Sequence, residues 1–306
     1  MTCCARHSDE TGFTLIEALV SMTVLLVIGG TVVGGLLDVS RTTDVVTGRS
    51  DMRTSLRNAL DLMADEVGQA GRVALPAAVT TTGSIALGAT TVTLSSVAQM
   101  FVGELLVLDA GLNQETVAVS AITGNRITFD PATKTHVMGV TVTAAGGIPE
   151  GVVPSSTSNG SSSTRLKVVG DLFSDGTLNY GEYWCDIDSN GAGRLYRRVM
   201  PFNHAQKPAA TAQHVLVENL RANPGSVPCF TYQTATVGGR TYVTDVGITL
   251  SVASEAVDRS TAQRYTENRV VLNVAPRNVL AVRRLAEAGI TNRIQPLPAS
   301  VLPLLP

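Results

Sequence analysis

Charge, aromatic side chains and histidine are all scarce in this chain. Of its 306 residues, 16% are charged and 4% are aromatic, and only four are histidines. The formal net charge of -2 supplies no basic field that would attract nucleic acid or anionic lipid. We therefore expect no clear nucleic-acid site, and the charge argues against nucleic-acid binding as the main activity.

Signatures of common enzymes and metal sites are missing as well. The sequence contains no Gly-x-Ser-x-Gly motif, no phosphate-binding loop and no Cys-x-x-Cys pair. His136 stands alone in a predicted β region, without a visible partner. These absences argue against zinc, nucleotide and hydrolase chemistry. We expect a non-enzymatic protein with no catalytic residue, no cofactor and no metal.

The most informative feature that is present lies near the N-terminus. Residues 13–37 are apolar apart from Glu17, and about 20 apolar residues suffice for a helix to cross a bilayer. An ionised carboxylate in hydrocarbon costs at least about 2–3 kcal/mol, so Glu17 requires a partner. The alternative is a plain membrane anchor in which Glu17 reaches the headgroups. A polar leader precedes the apolar run, which is the wrong order for an ordinary secretory signal.

The residues around Glu17 resemble a known processing signal. The run GFTLIEALV, which starts at Gly12, is similar to the class III signal of type IV pilins and type II secretion pseudopilins. The resemblance implies that a prepilin peptidase removes the leader, residues 1–12, and methylates Phe13. Glu17 is then the fifth mature residue, where the family has its glutamate. Its carboxylate is expected to meet the N-terminal ammonium of a neighbouring subunit, since pairing offsets desolvation.

A second helical segment, residues 38–71, continues the first. Its apolar residues recur every three or four positions and form one stripe: Met52, Leu56, Leu60, Met63, Val67 and Ala70. Charged residues, Glu66 among them, are expected on the other faces, and Gly71 is expected to end the helix. The stretch 60–72 is similar to minor pilins of the PilW kind and, less closely, to J-type pseudopilins.

Beyond the helix, the many Gly, Thr, Val and Ser residues favour β-structure. Short strands and turns over residues 84–144 predict a small inserted β module, and residues 155–163 predict a flexible Ser-rich loop. Residues 164–275 hold further strands that resemble the sheet of PilW-type and J-type pilins. The expected fold class is α+β: a long N-terminal helix, with a membrane half and an amphipathic half, packed on an antiparallel β head with an additional all-β module.

Two smaller features of the β head bear on stability and metal binding. In an oxidising compartment Cys185 and Cys229 could form a disulfide worth roughly 4 kcal/mol; the alternative is two buried thiols. Asp186, Asp188 and Asn190 are spaced like the start of a calcium loop. However, a cation, Arg197, occupies the position where such a loop needs an acidic ligand. These residues are therefore a weak calcium candidate, and a hairpin turn explains them with fewer assumptions.

The C-terminal tail, residues 276–306, contains a short predicted helix and then becomes rich in proline. We expect this tail to be disordered, with exposed Leu and Pro side chains that could dock on a partner subunit as the alternative.

The resemblance implies a structural minor pilin of a type IV pilus, which acts in pilus priming and assembly or at the tip. The alternatives are a J-type pseudopilin of type II secretion and a permanently anchored, β-rich periplasmic binding protein. The implied partners are prepilin peptidase, the inner membrane, and other major and minor pilins contacted through the N-terminal helix. The chain would cross the inner membrane once with its head in the periplasm, and would reach the pilus or cell surface after assembly. The sequence does not identify a ligand for the β module.

Overall fold

The computed structural model describes residues 14–258 and 263–306. The predicted processing point, Gly12 and Phe13, lies outside the described residues. The chain divides into two compact units. The first contains Met1–Asp51 and Glu255–Tyr265, and the second contains Met52–Ser254 and Thr266–Pro306.

Helix α1 extends over Leu15–Gln69, and its apolar N-terminal part belongs to the first unit. An 18-residue window of α1 has a mean hydropathy of 2.2 and is 0% buried, so the helix is long and apolar enough to cross a membrane. Residues 14–37 are exposed on every side. A helix that is apolar all round and exposed gains stability when lipid or protein covers it. The predicted long N-terminal helix is confirmed.

The second unit begins with the amphipathic part of α1. The predicted apolar stripe is buried apart from Met52, which is half-buried, and Leu56, Met63 and Val67 are each 0% exposed. They share one core with side chains of the larger sheet. The helix ends before Gly71, which has a φ of +81°. A Cβ at this position would lie 2.7 Å from the carbonyl oxygen of Ile148, so the termination needs glycine.

The smaller sheet is all antiparallel and has its own apolar core. Its strands are β1 Val79–Thr80, β2 Thr91–Thr93, β3 Leu105–Leu108, β4 Glu115–Thr123, β5 Arg126–Phe129 and β6 Thr141–Ala144. Their spatial order is β1-β6-β3-β4-β5-β2. A bridge between Thr81 and Leu94 joins the chain next to the two edge strands, so the sheet curls upon itself.

The larger sheet carries the core shared with α1. Its strands are β7 Arg165–Gly170, β8 Asn179–Ile187, β9 Ala192–Pro201, β10 Val215–Arg221, β11 Phe230–Val237, β12 Arg240–Asp258 and β13 Gln263–Val274. The order is β11-β12-β10-β9-β8-β7, and β13 also pairs with β12. A long helix with two antiparallel sheets confirms the predicted α+β class.

The C-terminal tail is folded, contrary to the expectation of disorder, and it combines buried side chains with the exposed Leu302 and Pro303. It contains helix α2, Arg277–Glu287, and a 3-10 turn, Ala299–Leu304. Val301 and Leu304 are buried against Tyr180 and Met200 of the larger sheet. The turn places these apolar side chains on one side, where they cover a sheet face that would otherwise meet water.

The tail also joins the smaller sheet to the rest of the second unit. Gln295 is fully buried, and its side chain accepts a hydrogen bond from the amide of Leu105 at 2.8 Å. Its amide nitrogen donates to the carbonyl oxygens of Leu105 and Ala145 at 2.7 and 2.6 Å. One buried side chain thereby satisfies three backbone groups of the smaller sheet.

The Ser-rich loop, predicted to be a flexible excursion, is fixed at one point. Ser161 is buried, and its hydroxyl accepts a hydrogen bond from the amide of Lys167 on β7 at 3.0 Å. This end of the loop is therefore part of the packed head.

Candidate functional site: the N-terminal helix and its anchor

Glu17 lies in the first turn of α1, surrounded by exposed apolar side chains such as Leu15 and Ile16. The amide of Glu17 donates to the hydroxyl of Thr14 at 3.4 Å, and that hydroxyl donates to the Glu17 carboxylate at 3.4 Å. The spacing Thr-x-x-Glu is that of a capping box, of which one half is formed. The Thr14 hydroxyl caps the Glu17 amide, whereas the carboxylate bonds that hydroxyl instead of a backbone amide. A negative charge in the first turn also stabilises the helix, because it interacts favourably with the helix dipole. Glu17 therefore helps to start the helix, a local role that the sequence analysis did not assign.

The carboxylate of Glu17 remains exposed in the described chain. Its apolar surroundings are suited to a dry environment, where an unpaired carboxylate is costly. Its contact with Thr14 is a long hydrogen bond to a neutral hydroxyl and brings no positive charge. The geometry thus leaves Glu17 able to accept a cation from outside the described chain.

The amphipathic part of α1 is held on the larger sheet by a buried polar contact at Glu66. Its side chain is 3% exposed. Its carboxylate accepts a hydrogen bond from the hydroxyl of Tyr183 at 2.6 Å and another from Nε of Arg197 at 3.1 Å. The sequence predicts Glu66 outside the apolar stripe, yet in the structure its side chain is buried together with that stripe. Tyr183 and Arg197 face each other across β8 and β9, and together they supply the donors that make burial of the carboxylate tolerable.

The pKa values of the two hydrogen-bond donors to Glu66, Arg197 and Tyr183, are both raised. Burial opposes the charge on Arg197, but hydrogen bonding and attraction from Glu66 outweigh it and raise the pKa of the guanidinium. Burial and then the negative charge of Glu66 raise the pKa of the Tyr183 hydroxyl. At neutral pH Tyr183 therefore stays a neutral donor and Arg197 stays positively charged.

The two predicted cysteines are brought together in the core of the head. Cys185 on β8 and Cys229, just before β11, form a disulfide with their Cα atoms 6.7 Å apart. The bond links β8 to the start of β11, two strands that are not neighbours in the larger sheet, and closes a loop of 44 positions. Such a cross-link stabilises mainly by restricting the unfolded chain.

The calcium candidate residues lie at the turn between β8 and β9. The carboxylate of Asp188 accepts hydrogen bonds from the amides of Asn190 and Ala192 at 2.8 and 2.9 Å. This arrangement is an Asx turn, which explains the residue types at the hairpin. Within residues 14–258 and 263–306, no group of three or more His, Cys, Asp or Glu side chains is arranged to hold a metal ion.

His136 has partners, contrary to the expectation that it stands alone. Its ring is fully buried, with Nδ1 3.2 Å from Asp109 and Nε2 2.8 Å from Glu115. Hydrogen bonds from Asn113, the Ala110 amide and the imidazole lower the pKa of Asp109. The pKa of Glu115 is also lowered, because hydrogen bonds from Thr133 and His136 outweigh the opposing effect of burial. These contacts join β4 to the 133–136 segment. Sequence patterns do not reveal them, because the partners lie about twenty positions apart.

The comparisons with known proteins bear on the N-terminal segment. Residues 7–33, which include Gly12, Phe13 and Glu17, match the family model described as the prokaryotic N-terminal methylation motif. No curated protein and no solved structure matches the chain. The exposed apolar helix that follows Thr14 is the structure expected after such a motif. Residues 7–33 thus carry an N-terminal methylation motif that is consistent with a class III prepilin signal, as the sequence predicted.

Proposed function

We propose that this chain is a structural, non-enzymatic minor pilin of a type IV pilus. A prepilin peptidase cuts between Gly12 and Phe13 and methylates the new N-terminus. The processed chain waits in the inner membrane as a single-pass protein with its head in the periplasm. It then enters the filament with other major and minor pilins, at the tip or in the complex that primes assembly.

The observation that carries this proposal is the fully exposed apolar helix with one carboxylate in its first turn. A plain membrane anchor needs the apolar surface but does not need a charge within it. Burial of the Glu17 carboxylate in hydrocarbon costs at least about 2–3 kcal/mol, which exceeds the roughly 0.3–1 kcal/mol that it gains from the helix dipole. In a filament, the ammonium of an incoming neighbour removes most of that cost. Glu17 would then favour one axial position of the subunit over others.

The anchor at Glu66 supports the same role. A filament subunit transmits force between its helix and its head, so the amphipathic half of the helix has to stay docked. The buried contacts of Glu66 with Tyr183 and Arg197 provide such docking. The extra sheet at residues 79–144 adds surface to the head, which favours a pilus over the J-type pseudopilin of a secretion system.

Variants of Glu17 test the proposal in cells that assemble the filament. Glu17→Gln keeps the shape and removes the charge, so we expect normal membrane insertion with loss of incorporation into filaments. Glu17→Asp keeps the charge and should retain part of the incorporation. Asp44→Asn, which removes an exposed carboxylate from the same helix, is the matched control. Wild-type incorporation of Glu17→Gln would refute the pairing role.

A further inference from the structure

Several cationic side chains surround one buried carboxylate on the face of the larger sheet that points away from α1. Glu182, in the middle of β8, is fully buried. Arg165 on β7 and Arg198 on β9 each donate a hydrogen bond to it at 2.8 Å. Lys207 lies 3.1 Å from its Oε2 atom, and Lys167 lies 3.9 Å from Oε1. These five residues, the Glu182 cluster, bring four positive charges to one negative charge.

Most of this positive charge is shielded from solvent by burial of the side chains. The side chains of Lys167, Arg198 and Lys207 are 4, 7 and 13% exposed. Burial lowers the pKa of the Lys167 ammonium to about 8, although Glu182 acts in the opposite direction. Burial also lowers the pKa of Lys207. In both lysines burial, together with repulsion from Arg165 and Arg198, outweighs the attraction of Glu182.

The other acceptors in the cluster are neutral. The carbonyl oxygen of Asn159 accepts a hydrogen bond from Lys167 at 2.7 Å, and that of Leu305 accepts one from Lys207 at 3.4 Å. Pro208 offers its carbonyl oxygen to Arg198. Nε of Arg198 is buried without a hydrogen-bond partner in the described part of the chain. Carbonyl oxygens satisfy some donors but bring no negative charge, so the cluster retains donors and charge for an anion.

Aromatic rings hold the guanidinium groups in place. The rings of Trp184 and Tyr196 are stacked, with centroids 4.8 Å apart and planes 5° apart. The guanidinium carbons of Arg198 and Arg165 lie 5.0 and 5.8 Å from the centroid of the Trp184 ring. The Arg165 side chain is 45% exposed, so the cluster meets solvent on that side. A planar guanidinium fixed in this way is suited to bidentate binding of a carboxylate or a phosphate.

We propose that the Glu182 cluster binds an oxyanion, a carboxylate or a phosphate group, that enters beside Arg165 and is held by Arg165, Arg198 and Lys207. Glu182 keeps the three cations close together before the ligand arrives. The site belongs to the β head and does not depend on processing or on filament assembly, so its failure would leave the proposed function untouched.

The test follows thermal unfolding of the full chain in detergent at neutral pH. Sodium phosphate, sodium acetate and sodium chloride are compared at constant ionic strength. A ligand that binds only the folded protein raises the unfolding midpoint with the logarithm of its concentration. We expect a rise of about 2 °C or more at about ten times the dissociation constant. A response to phosphate alone that Arg165→Gln abolishes identifies a phosphate site, and such a response to acetate identifies a carboxylate site. Equal midpoints in all three salts would overturn the proposal.

Phosphate also stabilises proteins without binding, because it is excluded from their surfaces, so a matched pair of variants is needed. Arg165→Gln should abolish the specific part of the shift. Arg194→Gln removes a comparably exposed arginine of β9 that pairs with Glu218, and it should retain the shift. Equal shifts in the two variants would contradict the proposal. If Arg165→Gln does not fold, phosphorus NMR measures binding directly. The phosphate line should broaden with the wild type and broaden less with Lys207→Gln, and equal line widths would contradict the proposal.

Discussion

The carboxylate of Glu66 on α1 and the guanidinium of Arg197 on β9 form an ion pair in the interior of the head, with Nε of Arg197 3.1 Å from Oε1 of Glu66. Tyr183, on the neighbouring strand β8, donates a further hydrogen bond to Oε2 of Glu66. The amphipathic half of the helix is therefore fixed to the sheet by a specific polar contact as well as by its apolar stripe.

Replacing Glu66 should weaken the head strongly. Glu66→Leu leaves Arg197 without its buried partner, and removal of one member of a buried pair costs about 3–5 kcal/mol. Denaturant unfolding of the purified chain measures this loss. Asp65→Leu changes an exposed carboxylate one position away, so its cost should be much smaller. Similar costs for the two variants would show that the ion pair contributes little.

The stability of the head should fall as the pH rises through neutrality. Burial raises the pKa of Glu104 from its ordinary value of 4.5 to about 8, opposed only in part by a hydrogen bond from Phe101. The folded state therefore binds the proton of Glu104 more tightly than the unfolded state does. The contribution of this proton to the free energy of unfolding is complete below pH 4.5 and is lost as the pH rises to about 8. The difference amounts to about 4–5 kcal/mol.

Denaturant unfolding across this pH range checks the effect of Glu104. Glu104→Gln removes the titrating group with little change of shape, so its stability should vary less with pH than that of the wild type. Parallel curves for the two proteins would mean that Glu104 does not carry the dependence.

The disulfide between Cys185 and Cys229 should contribute roughly 4 kcal/mol to the free energy of unfolding. Cys185→Ser and Cys229→Ser together should therefore lower the unfolding midpoint, and a reducing agent should do the same to the wild type. Replacing Cys3 and Cys4 is the control, because the proposed processing removes both. Non-reducing mass spectrometry shows the bond directly, and two free thiols in the exported protein would refute it.

The C-terminal turn should matter for stability. Leu304 is 0% exposed, so Leu304→Ala leaves a cavity and should cost about 2–5 kcal/mol. Leu302, two positions earlier, is 53% exposed, and Leu302→Ala should cost less than about 0.5 kcal/mol. Calorimetry of both variants separates a docked tail from a disordered one, for which both changes would be harmless.

Sequence patterns predicted the features that depend on neighbours along the chain. Apolar spacing predicted α1 and its buried stripe at Leu56, Met63 and Val67, because helix periodicity is local. Turn residues predicted the hairpin at Asp188. The motif at Gly12 and Phe13 predicted the prepilin signal.

The features that were missed arise from residues far apart in sequence. Glu66 is buried against Tyr183 and Arg197, which lie on strands more than a hundred positions later in the chain. His136 meets Glu115 only after β4 packs beside the 133–136 segment. Leu304 is buried because the larger sheet leaves a face for the tail to cover. Proline-rich composition suggested disorder there, but a short 3-10 turn accommodates Pro303.

The most direct test of the account is mass spectrometry of the mature N-terminus from cells that express prepilin peptidase. The account predicts a chain that begins at Phe13 with one added methyl group on its α-amino nitrogen. Gly12→Ala, which alters the residue before the cut, should leave the leader attached and block assembly. Functional protein that keeps Met1 and an unmodified leader would contradict the account.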